Sequence, residues 1–312
     1  MSKTAFVFPG QGAQSVGMMS AWGDYQSIVD DIYGQASRFL EFDLWDIVSN
    51  GPVEQLNNTE ITQPALLCAG VACWKIASMQ AEIPAPDFMA GHSFGEYTAL
   101  VCAGSLDLES AVKLVSYRGQ LMQSAVPFGK GSMAAIIGLD DENVEAACAS
   151  VSSGIVEATN YNAPGQVVIS GEKLAVEQAM ENAKALGAKR VLALAVSVPS
   201  HCSLMTDAAA QLAELLDSTS FKMPEVPVIH NQNAGIANSI EDIKDLLKKQ
   251  LYQPVKWAES VRLMQSSGVG CLVECGPGKV LSGLARRIDK SLLALSIFDS
   301  ASLEKSVQSL SG

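Results

Sequence analysis

Apolar positions along this chain recur in two rhythms. Brief, densely apolar runs bounded by Gly, Pro or Asn alternate with longer stretches whose apolar residues return every three or four positions. The first rhythm marks buried strands and the second marks helices with one apolar face. Residues 3–8 read as a strand ending in Pro9-Gly10-Gln11-Gly12-Ala13-Gln14, a tight loop whose backbone can approach a ligand. No Lys-Ser/Thr pair follows, so the loop is not a P-loop. Helices are predicted over roughly 24–40, 43–49 and 63–80. Thr62 reads as the N-cap of the third, with Pro64 in its first turn. A strand at 87–91 leads into a helix over about 95–103, and Asp107 caps a further helix over roughly 107–124. On that helix Val112, Val115, Gly119 and Met122 share a face, with Arg118 beside it.

Residues 126–131 (Val-Pro-Phe-Gly-Lys-Gly) read as a hinge, after which the pattern changes. A strand at 132–138, a helix at about 141–150, strands at 155–160 and 166–171, a helix at about 173–186 and a strand at 189–196 follow. Residues 161–165 read as the connection between the middle strands. This β-α-β-β-α-β order is the ferredoxin-like motif, a small domain inserted in a larger one. Beyond it come helices over about 202–217, 239–251, 256–267 and 279–289, strands at 226–230, 270–274 and 292–296, and a last helix. Alternating strands and helices on both flanks imply an α/β fold with a mostly parallel sheet. The expected division is a large domain of residues 1–128 and 198–312 around a small one of residues 129–197.

Composition narrows the function classes. The 312 residues are 48% hydrophobic and 17% charged, as in an ordinary globular protein. No apolar run is long enough to span a bilayer, and the N-terminus lacks the apolar core of a signal peptide, so a cytoplasmic protein is expected. A net charge of −12 argues against nucleic acid as a partner. Local basic patches remain at Lys189-Arg190, Lys248-Lys249 and Arg286-Arg287 with Lys290. The seven cysteines fall at irregular spacings, mostly inside apolar runs, and form neither a disulfide framework nor a metal knuckle.

Candidate chemistry centres on Gly91-His92-Ser93-Phe94-Gly95. A Gly-x-Ser-x-Gly pattern between a strand and a helix is a nucleophile elbow. It holds the serine hydroxyl at a helix N-terminus, where the backbone favours developing negative charge. A serine nucleophile needs a base, and the chain has three histidines: His92, His201 and His230. His92 adjoins Ser93, and neighbours in extended chain point to opposite sides, which favours a structural role. His201 and His230 both remain, with pattern favouring His201. Arg118, beside an apolar helix face, calls for an anionic partner unless it snorkels to the surface.

Several of these segments resemble, in order and over essentially the whole length, the bacterial malonyl-CoA:acyl carrier protein transacylases. The resemblance rests on Phe8-Pro9-Gly10-Gln11-Gly12-x-Gln14, Thr62-Gln63-Pro64-Ala65, Gly91-His92-Ser93-x-Gly95-Glu96-Tyr97 and Arg118-Gly119. It continues through Asn162-x-Pro164-Gly165-Gln166, Val196-Ser197-Val198-Pro199-Ser200-His201, Gln250-Leu251-Tyr252-x-Pro254-Val255-x-Trp257 and Gly276-Pro277-Gly278-Lys279-Val280-Leu281. It implies an α/β-hydrolase-like large domain with a ferredoxin-like small one. It also implies Ser93 as nucleophile, His201 as base held by the Gln250 backbone carbonyl, and the Gln11 and Phe94 N–H groups as oxyanion hole. Arg118 would pair with the malonyl carboxylate, and Asn162 and Gln166 would contact substrate. Malonyl-CoA and acyl carrier protein would be the partners, with no metal and no cofactor. A monomer is expected, since nothing in the residues calls for an obligate dimer.

Two positions depart from the family pattern. Phe94 stands where Leu is common, which would put a ring at the pocket mouth; His230 stands where Asn is common, which would put a second histidine near the site. A serine esterase or thioesterase on the same fold competes with this reading, and it would need an Asp or Glu to orient the histidine. A polyketide-pathway acyltransferase and a non-catalytic carrier-binding module compete with it as well. Arg286 and Arg287 are candidates for docking an acidic carrier protein.

Overall fold

Alternation along the first strand, β1 (Lys3–Phe8), divides its side chains between two cores in the computed structural model, which describes residues 2–196 and 198–311. Phe6 and Phe8 join one core with α1 (Gln26–Leu40), α2 (Leu44–Asn50), α3 (Val53–Leu56) and α4 (Thr59–Ala77). Ala5 and Val7 point to the other face, as the two-residue period of a strand requires. Next come β2 (Phe88–Gly91), α5 (Gly95–Cys102) and α6 (Leu108–Ala125), the last capped by Asp107, whose Oδ1 accepts the Ser110 N–H.

The middle of the chain forms a second sheet from β3 (Gly131–Ile137), β4 (Val156–Ala163), β5 (Gln166–Glu172) and β6 (Arg190–Ala193), with α7 (Asp141–Ala149) and α8 (Lys173–Ala185) between them. Its order, β4-β5-β3-β6, and its antiparallel pairings are those of a ferredoxin-like sheet. Ala134, Ile136, Val167 and Ile169 face the two helices. Met133 and Val168 lie on the opposite face, which no helix of this unit covers.

The chain then completes the first sheet through α9 (Thr206–Ser218), β7 (Val228–His230), β8 (Gly235–Ile236), α10 (Ile240–Gln250), α11 (Trp257–Ser266), β9 (Val269–Cys275), α12 (Val280–Ile288), β10 (Leu293–Ile297) and α13 (Ser300–Ser311). Strand order is β10-β9-β1-β2-β7-β8, parallel except for β8. Trp257 and Val261 of α11 and Leu281 and Leu284 of α12 cover the Ala5 and Val7 face. The result is a mixed α/β fold with one mostly parallel and one antiparallel sheet. Backbone bonds from Tyr161 N–H to the Val255 carbonyl and from Val255 N–H to the Thr159 carbonyl stitch β4 to the main body.

Three expectations need correction. Helix α4 starts at Thr59 behind Asn58, so Pro64 lies inside it and Thr62 is not its cap. The Thr62 hydroxyl instead donates back to the Leu56 and Asn58 carbonyls. Strand β4 runs on to Ala163, so Tyr161 and Asn162 are strand residues and only Pro164-Gly165 turns. Strand β6 ends at Ala193 rather than 196, and Ser197 of the segment leading to His201 lies outside the described residues.

Candidate active site

The elbow between β2 and α5 is a matter of contact distances. A methyl group on Gly91 would lie 1.9 Å from the Gly95 carbonyl, and one on Gly95 would lie 2.4 Å from the Phe8 carbonyl oxygen. Only glycine lets the turn close this tightly against β1. The cost appears at Ser93, held at φ +54° in the left-handed region that side chains avoid. Asn231 braces it: Oδ1 accepts the Ser93 N–H at 2.7 Å, and Nδ2 donates to the Gly91 carbonyl at 2.6 Å.

The hydroxyl so presented meets His201, which stands just ahead of α9 and is 2% exposed. Its Nδ1 lies 2.6 Å from the Gln250 backbone oxygen. A carbonyl only accepts, so Nδ1 carries the hydrogen and Nε2 is left as the acceptor. The Ser93 hydroxyl donates to that Nε2 at 2.8 Å. Burial, with the Arg118 guanidinium and His92 adding to it, drives the His201 pKa down to about 3, against the pull of the Gln250 hydrogen bond. The ring is therefore a neutral base throughout the physiological range.

Arg118 projects from α6 and is 1% exposed, which rules out snorkelling. A close approach of helices puts it there: a methyl on Gly119 would lie 2.5 Å from the Glu60 Cα in α4. Its Nη1 donates to Gln63 Oε1 at 2.9 Å and its Nη2 to Gln250 Oε1 at 3.0 Å, with the Ser93 hydroxyl 3.4 Å away. The Tyr97 ring centroid lies 6.0 Å from its guanidinium carbon. Among the described residues no carboxylate pairs with it within 4.0 Å. Burial lowers its pKa, yet an arginine stays protonated.

Ser93, His201 and Arg118 line a cavity of about 550 Å³ at the seam between the two sheets. Asn162 is on its wall, its Oδ1 2.8 Å from His92 Nε2; that contact fixes His92, whose ring also borders the cavity. Burial lowers the His92 pKa. Gln166 borders the cavity as well, with Oε1 accepting from Arg287 Nη1 at 2.7 Å. Gln11 and Phe94 border the same space, and the backbone N–H of neither has a protein acceptor among the described residues. The Phe94 side chain is 1% exposed and packs in the main core, and the residue borders the cavity. His230 does not face Ser93; its Nδ1 lies 2.7 Å from Glu96 Oε1. Sequence reasoning misses Glu96 as a site residue, although it closes the elbow motif, because its partners come from distant segments. All seven cysteines are free, and burial raises the pKa of each.

The left-handed turn at Ser93 has a measurable cost. Ser93→Gly and Ser93→Ala both lose the hydroxyl, but only glycine relieves the backbone. Urea unfolding is expected to find Ser93→Gly the more stable by about 1 kcal/mol; equal stabilities would mean that the turn is unstrained.

Comparison with known proteins places this architecture. Residues 5–294 match the family model described as acyl transferase domain. Malonyl CoA-acyl carrier protein transacylase of Escherichia coli (strain K12) is 48% identical over 309 residues, covering 99% of this chain and all of that protein. The structure of the corresponding transacylase from Coxiella burnetii superposes with a TM-score of 0.97 at 44% identity, covering 100% of this chain and 98% of that one. A structure of a type II PKS acyl-carrier protein in complex with its malonyl-transacylase gives a TM-score of 0.96 at 50% identity, covering 99% and 100%. With similarity of this extent in sequence and fold, the chain belongs to the acyl transferase family and, within it, to the malonyl-CoA:acyl carrier protein transacylases.

Proposed function

We propose that this chain is a cytoplasmic, cofactor-independent acyltransferase that moves malonyl from malonyl-CoA to the phosphopantetheine thiol of acyl carrier protein, supplying fatty acid synthesis. The observation that carries the reading is the buried Arg118 guanidinium, set 3.4 Å from the Ser93 hydroxyl with no carboxylate of the described chain beside it. A buried cation is costly unless an anion joins it. An acyl group with a free carboxylate supplies that anion while its thioester carbon rests at Ser93. Arginine suits the task because its planar fork can pair with both carboxylate oxygens.

On this reading Ser93 Oγ attacks the thioester carbonyl, and its proton passes to His201 Nε2. The tetrahedral oxyanion is met by the Gln11 and Phe94 N–H groups. Collapse breaks the C–S bond, and the departing thiolate takes the proton from His201, leaving malonyl-Ser93. The acyl carrier thiol then gives its proton to His201, attacks the ester and restores the Ser93 hydroxyl. Two thiol carriers thus use one site in turn. Gln250 orients His201 through its backbone carbonyl, and Asn162 and Gln166 form the substrate-facing wall. The proposed division into residues 1–128 with 198–312 and an inserted 129–197 is supported by the separate clusters around Phe6 and Phe8 and around Ile136 and Ile169. An esterase would be expected to orient its histidine with a carboxylate; the Gln250 carbonyl in that position favours transfer to a thiol.

Three outcomes are expected. Intact-protein mass spectrometry after mixing with malonyl-CoA detects one malonyl adduct on the wild type and none on Ser93→Ala; an adduct persisting in the variant would refute Ser93 as nucleophile. Arg118→Ala lowers malonyl transfer about 10²- to 10³-fold and acetyl transfer far less, whereas equal losses would make Arg118 structural. Because a depressed pKa keeps His201 in its basic form as pH falls, kcat/KM for malonyl-CoA holds from neutrality to about pH 5. A descending limb at the ordinary histidine value, about 6.5, would contradict the buried neutral base.

A further inference from the structure

We propose that Glu96 is a positioning residue, a buried carboxylate that anchors the side chain of Gln250, the residue whose amide oxygen receives Arg118 and whose backbone oxygen receives His201; this rests on the transfer reading above. Glu96 stands in the first turn of α5, three residues beyond Ser93, and is 0% exposed. A carboxylate that deep must be hydrogen-bonded on both oxygens to persist. Oε1 accepts from His230 Nδ1 at 2.7 Å. Oε2 accepts from the Asn231 N–H at 2.9 Å and from Gln250 Nε2 at 2.8 Å. All three partners are donors, and they arrive from the ends of β7 and α10.

Gln250 is where this matters. Its Nε2 donates to Glu96 Oε2 and, at 2.9 Å, to the Ser93 carbonyl. Both are acceptors, so the amide has one acceptable orientation, with Oε1 turned to Arg118 Nη2 at 3.0 Å. The backbone oxygen of the same residue receives His201 Nδ1. One residue therefore meets the base and steadies the guanidinium, and Glu96 and the Ser93 carbonyl together fix how its side chain lies. Asn231 carries the second connection, since it donates to Glu96 through its backbone and braces the elbow through its side chain.

An amide in place of Glu96 breaks this logic. Gln at 96 has one side-chain oxygen for the three donors that Glu96 serves, so its N–H must face one of them, and where it faces Gln250 Nε2 the Gln250 side chain loses that anchor. His230 has a matching task. Its Nδ1–H occupies the far carboxylate oxygen, so the histidine that stands where asparagine is common in the family serves the carboxylate, and an asparagine there also offers a side-chain N–H.

Steady-state transfer from malonyl-CoA and acetyl-CoA, with intact mass and a thermal melt on each protein, tests the assignment in Glu96→Gln, His230→Leu and His230→Asn. Glu96→Gln is expected to keep the Ser93 ester but lower kcat about 10- to 100-fold and narrow the malonyl-over-acetyl preference. His230→Leu is expected to lose about tenfold, with His230→Asn recovering most of it. A folded Glu96→Gln with unaltered kcat and preference would overturn the proposal. So would a lowered melt and rate with an unaltered preference, the mark of a purely structural role. Should Glu96→Gln not fold, equal behaviour of the two His230 variants would overturn it instead. A wild type that gains no ester would overturn the transfer reading beneath it, whereas an ester with an indifferent Glu96→Gln rejects the positioning role alone.

Discussion

The site depends on one steric constraint, the pressing of the β2–α5 turn against the end of β1. With Gly91 and Gly95 in near contact and the Phe8 carbonyl directly behind, the backbone has no room to relax. Ser93 is forced into a left-handed conformation, and its hydroxyl into the space where His201 waits. The strain persists because the surroundings over-determine it. Asn231 holds the turn from one side, Gln250 from another, and the helix it starts is buried along its first turns. Chemistry at Ser93 is thus inherited from packing between a strand and a turn that carry no reactive groups themselves.

Electrostatics adds a second layer of the same kind. Arg118 and Glu96 are both buried, yet they do not pair with each other; Gln250 stands between them, oxygen toward the cation and nitrogen toward the anion. A neutral amide acts as the spacer between two charges of opposite sign. The guanidinium is steadied without being neutralised, so it keeps an appetite for an incoming anion. His201, held neutral by burial and by that same cation, remains able to take a proton.

Much of this is legible in the chain. Two periodicities locate nearly every element, because the parallel sheet is made of short apolar runs and the helices have polar backs. The elbow pattern singles out Ser93, a count of three histidines leaves His201 and His230 with a lead for His201, and the resemblance to the family completes the set with His201 and Arg118. What escapes are facts of the third dimension. Asn58 starts α4 because the chain reaches helical geometry before the apolar pattern announces it. Residues 161–163 read as a turn, yet Val255 pairs with β4 and holds them extended. Phe94 lies in the core, where its ring packs among buried apolar side chains. Glu96 is invisible as a hub because His230 and Gln250 lie 134 and 154 residues away in sequence.

The face of the small sheet that α7 and α8 leave uncovered has a consequence of its own. Ser93, His201, Arg118, Gln250 and Glu96 all belong to the large sheet's elements and loops, whereas Met133, Asn160, Asn162, Gln166 and Val168 reach the cavity from the small one. The proposed reacting groups and the opposing wall therefore belong to separate stretches of the sequence. Variation within one stretch can remodel the chamber while the other keeps its reactivity intact, so an ancestor could have changed its acyl diet without relearning its chemistry.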